Sequence, residues 1–357
     1  MNNDELTLQI NGKNISGWDR VRVTRNIEQL PSDFDLSLMD RYPGSDEIQI
    51  VNPGDACIVS LGEDAVITGY IDRWDSMINR SNHEINVAGR SKCQDLVDCS
   101  AQWQNNVISQ STVLQICQKL ATPYGINVTT DVTDMAIVPQ FTLNWGESSQ
   151  EVIDRITRWA ALLYYDLPDG SLYLTRVSDR KAASGVAQGV NIEQAAYNSG
   201  IDERFSDYVG VSMSLTPTME SSADGGYGAV TKAKSQDPEV AKMRYRNRII
   251  IVESTLNVND RAQDCIDWEM NRRYGRSKVL QVTVDSWRDA EGKLWEPNTL
   301  IPITIPIFGL NDEFWLLAEV TYIKDDYGTT ARMVLMPPAA FTVQPYEFYN
   351  SIMESNI

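Results

Sequence analysis

Residues 5 to 90 alternate. The runs "LTLQI", "VRVTRN", "FDLSLM", "ACIVSL", "AVITGYIDRWDSMI" and "HEINVAG" place apolar residues at every second position. A strand has a side-chain period of two, so this pattern buries one face and wets the other, which no helix does. Asn11-Gly12, Pro43-Gly44 and Pro53-Gly54 separate the runs with residues that tolerate tight turns. Short strands at this spacing predict a barrel or sandwich.

From Gly89 the period changes. "GRSKCQDLVDCS" reads as a short helix with Ser91 as its N-cap. In "STVLQICQKLATPYGINV", Val113, Leu114, Ile116, Cys117 and Leu120 form one helical stripe, ending near Pro123-Tyr124-Gly125. Ser148 and Glu151 have capping-box spacing, and Val152, Ile153, Ile156, Trp159 and Ala160 follow at helical intervals. Then comes "ALLYYDLPDGSLYLTR". Its Pro168-Asp169-Gly170 between alternating apolar residues predicts a hairpin. A helix feeding a hairpin resembles a substrate shelf, and the question is whether it carries chemistry or only surfaces.

Residues 178 to 200 are small and polar and read as a linker. The stretch 219 to 239, rich in Gly, Ser and charge, reads as a mobile loop. Strands resume at "YVGVSMSLTP" and "RYRNRIIIVES". A helix is predicted from Asn259 to a stop at Gly275, and further strands follow at "VLQVTVDSW", "TLIPITIPIF", "FWLLAEVTYIK" and "TTARMVLMP". The expected fold class is mainly β with an α+β insert. Residues 1–90 are expected to form a first β-region, a barrel or sandwich, 91–178 a small helix–hairpin domain, 179–340 a linker and a second β-region with one helix, and 341–357 a C-terminal extension.

Composition removes several function classes. The formal charge is -18, which opposes phosphate binding and docking on anionic lipid. No run approaches the roughly 18 apolar residues of a membrane span, and the start "MNNDELTLQINGK" does not read as a secretion signal. Five cysteines at irregular spacing predict reduced thiols, with a Cys93–Cys99 bridge left open. His83 is the sole histidine and is expected at the surface, so a His-based zinc site is not available. No cofactor or metal is expected.

Glu147, Glu151 and Asp154 are candidate carboxylates for a peptidoglycan-active glycosidase, since two suffice for that chemistry. The helix-start dipole explains them equally well. No nucleophile elbow or phosphate loop is present. Aromatics carry more information, with 9 Trp and 15 Tyr in the chain. Trp159, Trp268 and Trp315 fit core faces. Trp103 and Trp145, near loops, and Phe341, Tyr346, Phe348 and Tyr349, in the C-terminal segment, are candidate interface anchors for a partner or, for the loop tryptophans, a glycan.

The order of a β-region, "GRSKCQDLVDCS", the helix "TVLQICQKLATPYGINV", a capped helix, "LLYYDLPDGSLYLTR" and a second β-region resembles the baseplate hub proteins of contractile-tailed phages. The Mu-type tail hubs and their prophage relatives show this resemblance in order and length. The phage T4 hub and the N-terminal part of type VI secretion spike proteins are more distant. The resemblance covers nearly the whole chain. It implies a structural protein without enzymatic activity, a homotrimer whose two barrels per chain give a pseudo-sixfold ring. Such a ring would join a trimeric central spike to a hexameric tail tube among other baseplate proteins. It further implies a channel that DNA crosses without specific binding, no membrane anchor, and a place in the virion after assembly in the host cytoplasm. No residues remain for a fused lysozyme-type domain.

Overall fold

The computed structural model describes residues 5–39, 51–80, 83–135, 137–213, 229–251 and 259–341. The fold is mainly β, with 48% strand and 19% helix. The first region contributes β1 (Leu6–Ile10), β2 (Lys13–Ile15), β3 (Arg20–Asn26), β4 (Asp33–Met39), β5 (Ala56–Leu61), β6 (Asp64–Ile78) and β7 (His83–Ser91). The alternation read from the sequence is the alternation of burial: Leu6, Leu8 and Ile10 are buried, as are Val21 and Val23, and Cys57, Val59 and Leu61. Asn11 and Gly12 both take positive φ and close the β1–β2 hairpin, the backbone that a two-residue turn between twisted strands requires. Pro43-Gly44 lies outside the described residues.

The insert holds α1 (Gln94–Asp98), β8 (Val107–Thr112), α2 (Val113–Ala121), β9 (Val128–Thr130), β10 (Ile137–Thr142), α3 (Ser149–Trp159), β11 (Leu163–Asp166) and β12 (Leu172–Thr175). Leu96, Ile116, Cys117, Leu120, Val152, Ile153 and Ile156 from its three helices bury against Leu172 and Leu174 in a core of its own. Ser91 is not the N-cap of α1. It is the buried last residue of β7, and its hydroxyl accepts from the Cys93 amide at 3.3 Å. The α2 stripe is as expected, with Gly125 at φ 65 after the Thr122–Tyr124 turn.

The second region contributes β13 (Val186–Ala187), β14 (Ile192–Ser199), β15 (Asp207–Met213), β16 (Ala229–Gln236), α4 (Pro238–Met243), β17 (Asn247–Ile251), α5 (Asn259–Arg276), β18 (Lys278–Val284), β19 (Leu300–Ile305), β20 (Leu310–Asp325) and β21 (Gly328–Met336). Two expectations change. The segment read as a linker contains β14, paired along its length with β18. It is an edge strand whose apolar contacts with the core are limited to Ile192, Ala195 and Tyr197, and a register shift between Ile192 and Gln194 breaks the alternation that would mark it in the sequence. In the stretch read as a mobile loop, residues 229 to 236 are a strand and 238 to 243 a helix. Residues 219–228 lie outside the described residues.

The two β-regions meet edge to edge. β3 pairs antiparallel with β20, Tyr322 opposite Val23. This makes one 13-stranded sheet whose main path runs β14-β18-β21-β20-β3-β4-β7-β6-β5-β1-β2. One core cluster accordingly contains residues of both regions, Val23 and Phe34 beside Val320 and Tyr322. A separate sheet, β16-β15-β17, packs on α5 through Tyr208, Ala233 and Ile266. α5 ends at Arg276, one residue past the stop expected at Gly275. A Cβ there would stand 2.2 Å from the Ala340 amide nitrogen, so the glycine lets the turn at Pro338–Phe341 approach the helix.

Candidate functional site

The helix–hairpin unit resolves the question of chemistry or surface. Ser148 Oγ accepts from the Glu151 amide at 3.2 Å, and Glu151 Oε2 accepts from the Ser148 amide at 2.8 Å. This is the expected capping box, and it occupies Glu151. Glu147 accepts from the Asn144 amide at 3.0 Å and from Arg155 at 2.6 Å. Asp154 pairs with Arg158 at 2.9 Å and accepts from the Tyr164 hydroxyl at 3.3 Å. These residues line an open notch together with Trp145. Each carboxylate already serves as cap or ion-pair partner, so the notch offers no free acid and base flanking a bond. The geometry performs helix termination.

The hairpin works through what it touches. Gly170 takes φ 81, and a Cβ there would lie 2.8 Å from the Thr68 carbonyl oxygen. The close approach lets Thr68 Oγ1 donate to the Pro168 carbonyl at 2.8 Å. One strand back, Asp166 is buried. It accepts from the Ser32 amide at 3.1 Å and the Ser32 hydroxyl at 3.0 Å. Desolvation pushes its carboxyl above the usual range, opposed by Ser91, the Arg25 guanidinium and Ser32. Arg25, itself buried, acts electrostatically on Asp166 and on the Tyr322 hydroxyl of β20, favouring the charged form of each. Tyr322 in turn donates to the Trp295 carbonyl. A polar chain therefore runs from the hairpin through the first region into the second.

Apolar packing follows the same route. Tyr165 and Tyr173 meet edge to face at 5.6 Å. They join a cluster with Ile27 from the first region and Leu316, Ala318, Ala340 and Phe341 from the second. Asn298 Nδ2 donates to the Tyr165 hydroxyl at 3.4 Å and to the Arg176 carbonyl at 3.2 Å. The hairpin is thus a key wedged between two β-regions. Asp166, Arg25 and Asn298 were missed by sequence reasoning. For Asp166 a signal existed, a single carboxylate inside the apolar run "LLYYDL".

The candidate anchors fall in different surroundings. Trp145 is 91% exposed. Trp103 is half-buried against the insert core with Lys119 Nζ 3.9 Å above its ring. Phe341 is buried within its own chain. Tyr346, Phe348 and Tyr349 lie outside the described residues. Trp315 is buried, as expected from its strand position. His83 is half-buried near the end of the β6–β7 arm, with Nε2 2.9 Å from the Ser76 hydroxyl. Cys93 and Cys99 are unbridged, and Cys57 and Cys117 are also free thiols. Among the described residues no group of three His, Cys, Asp or Glu side chains could hold a metal ion, and no helix is long and apolar enough to cross a membrane.

Three family models match the chain in order. Residues 5–91 match the N-terminal domain of Mu phage baseplate assembly protein GpP-like proteins. Residues 93–176 match the second domain of baseplate hub protein gp44-like proteins, and 258–344 the fourth domain of Mu phage baseplate assembly protein GpP. Baseplate hub protein gp44 of Escherichia phage Mu is 30% identical over 350 residues, 95% of this chain and 89% of that protein. Among solved structures, the 43 kDa tail protein of prophage MuSo2 from Shewanella oneidensis superposes with a TM-score of 0.82 at 29% identity, over 96% of this chain and all of that one. An E. coli component of the type VI secretion system, described as structurally similar to the T4 tail proteins gp27 and gp5, shares the fold. Its TM-score is 0.57 at 11% identity, over 92% of this chain and 76% of that one.

Proposed function

The chain belongs to the Mu gp44 baseplate hub family, a structural component of the phage baseplate and virion tail rather than an enzyme, and from that premise we propose that three copies close into a ring adapting a threefold central spike to a sixfold tail tube. Each copy supplies two β-regions, the first spanning 1–90 and the second lying within 179–340, as quasi-equivalent sectors. A spike with three-fold symmetry cannot meet a six-fold tube without such an intermediary. The ring leaves a channel for DNA. Its acidic balance discourages phosphate from adhering, through a repulsion that reaches about 8 Å at physiological salt. Spike, tube and other baseplate proteins are its partners, and assembly precedes release from the host cytoplasm.

The observation that supports this reading best is the β3–β20 pairing with the hairpin keyed across it. Two sectors that must keep a fixed angle need a rigid joint, and continuous backbone pairing with a buried polar chain provides one. Light scattering on the purified protein tests the assembly. The expected result at micromolar concentration is three chain masses per particle. A single chain mass at every concentration would overturn the ring.

A further inference from the structure

The two β-regions are wired alike, strand by strand. In the first, the neighbours run β3-β4-β7-β6-β5; in the second they run β14-β18-β21-β20-β19. Every neighbouring pair in both series is antiparallel. A bulge falls at the same place in each, between Ile71 and Arg73 against β7 and between Leu317 and Glu319 against β21. The backbone beside each bulge is bonded in the same way. The Ile71 amide donates to the Asp55 carbonyl at 3.0 Å, and the Ile71 carbonyl accepts from the Gly54 amide at 2.7 Å. Leu317 repeats both bonds with Thr299 and Asn298, each at 2.9 Å. Counted across the sheet from the bulge, Ile71, Gly89, Phe34 and Val23 form one row. Leu317, Leu335, Leu280 and Tyr197 form the matching row. Val23 of β3 therefore corresponds to Tyr197 of β14.

This correspondence exposes a joint that one chain makes once and leaves unmade once. β20 outruns β19, and from Glu319 onward it pairs with β3, Tyr322 opposite Val23 and Ile323 opposite Arg22. β6 outruns β5 in the same manner, since their pairing ends at Tyr70. Among the described residues no strand takes the place of β5 along Asp75–Ile78. β14, the counterpart of β3, ends the sheet and pairs with β18 alone. The Gly200 amide turns to β18, donating to the Ser277 carbonyl at 2.9 Å. Amides alternate in direction along a strand, so those of Ala195 and Tyr197 point away from β18, along the vacant edge. An unpaired edge of this kind is a template for a strand of another chain.

We propose that the Asp75–Ile78 edge of β6 in one copy pairs antiparallel with β14 of the next, in the register of the β20–β3 joint. That register sets Ser76 opposite Tyr197, Met77 opposite Ala196 and Ile78 opposite Ala195. The side chains suit it. Met77 and Ile78 are 56% and 79% exposed, and the two alanines leave room for them. The first region of each copy thereby meets the second region of its neighbour. All six joints of a three-copy ring become one joint, made within the chain by β20 and β3 and between chains by β6 and β14. Such a contact is heterologous, and it closes when the rotation permits. The occupant is a second copy because β14 stands in its own region where β3 stands in the other. The inference rests on the trimeric reading above and names the strands that make it.

Cysteines placed across this register test it. Met77→Cys with Ala196→Cys changes two exposed positions. Opposed residues of an antiparallel pair have Cα atoms about 4.5–5.5 Å apart, within disulfide reach. Air oxidation should carry the double variant to three chain masses on a non-reducing gel, and reductant should return it to one. Either cysteine alone should leave single chains, which separates the designed bond from the native thiols. Ala195→Pro removes an outward amide at an edge, where proline is tolerated. It should raise the midpoint concentration for trimer dissociation about tenfold with strand content by circular dichroism unchanged. A trimeric wild type whose double variant stays at one chain mass would overturn this joint and leave the ring reading standing. So would an Ala195→Pro trimer as tight as wild type. A monomeric wild-type chain would overturn both.

Discussion

Asp166→Ala is the substitution that probes the keyed joint most sharply. Asp166 is buried and accepts from both the amide and the hydroxyl of Ser32. Alanine removes both acceptor oxygens. The Ser32 hydroxyl can re-aim, but the amide cannot, and an orphaned buried donor costs about 1–3 kcal/mol. Arg25 forms no ion pair with Asp166 and loses only a longer-range attraction, so the orphaned donor sets the scale and the expected loss is about 1–3 kcal/mol. For a cooperative unit of this size that is a fall of roughly 2–12 °C in Tm, measured by circular dichroism. Asp166→Asn separates charge from shape. Burial raises the folded carboxyl above its unfolded value. Between those two values the folded chain holds a proton the unfolded chain has released, so stability falls as pH rises through that window. The asparagine variant should lose this component of the slope. An alanine variant within 1 kcal/mol of wild type would refute the reasoning, because the site would then be neither dry nor shared.

Other consequences follow from single contacts. Gly275→Ala gains about 1 kcal/mol of helix propensity but drives a Cβ toward the Ala340 backbone; chemical denaturation should show a net loss of about 1–3 kcal/mol. Native-state alkylation at pH 8, read by mass spectrometry, should label half-exposed Cys99 while sparing Cys93, Cys117 and Cys57, the last with its thiol pushed up to about 12 by burial. Glu147→Gln should weaken the Arg155 pair and lower Tm by a few degrees with no change in any hydrolytic signal, whereas peptidoglycan cleavage lost with Glu147 would contradict the structural role.

Much of the architecture is legible in local pattern. Period two marks β1 to β7, and the Asp169-Gly170 turn and the Ser148–Glu151 box appear where their spacing places them. A second box, Thr112 with Gln115, has the same geometry at α2, but it sits at a strand-to-helix junction without an intervening loop. Long-range features are absent from local pattern for a physical reason. The β3–β20 pairing joins segments about 300 residues apart, and no period specifies a strand's partner. Gly275 shows the same limit: it marks the end of α5 as its local chemistry suggests, but the backbone of Ala340 that crowds it lies in another element and leaves no local signal. β14 is hidden because only Ile192, Ala195 and Tyr197 pack on the core and the rest of the strand is polar and exposed, the composition of a loop. At the candidate site, the carboxylates of α3 were visible as residue types, and only their partners show that they are structural.

The central claim is that one chain supplies two equivalent sectors of a ring. Averaged end-on electron micrographs of the purified particle test it directly. The account predicts three-fold symmetry with six similar lobes around an open centre. An annulus with three dissimilar arms, or a particle with no central opening, would contradict it.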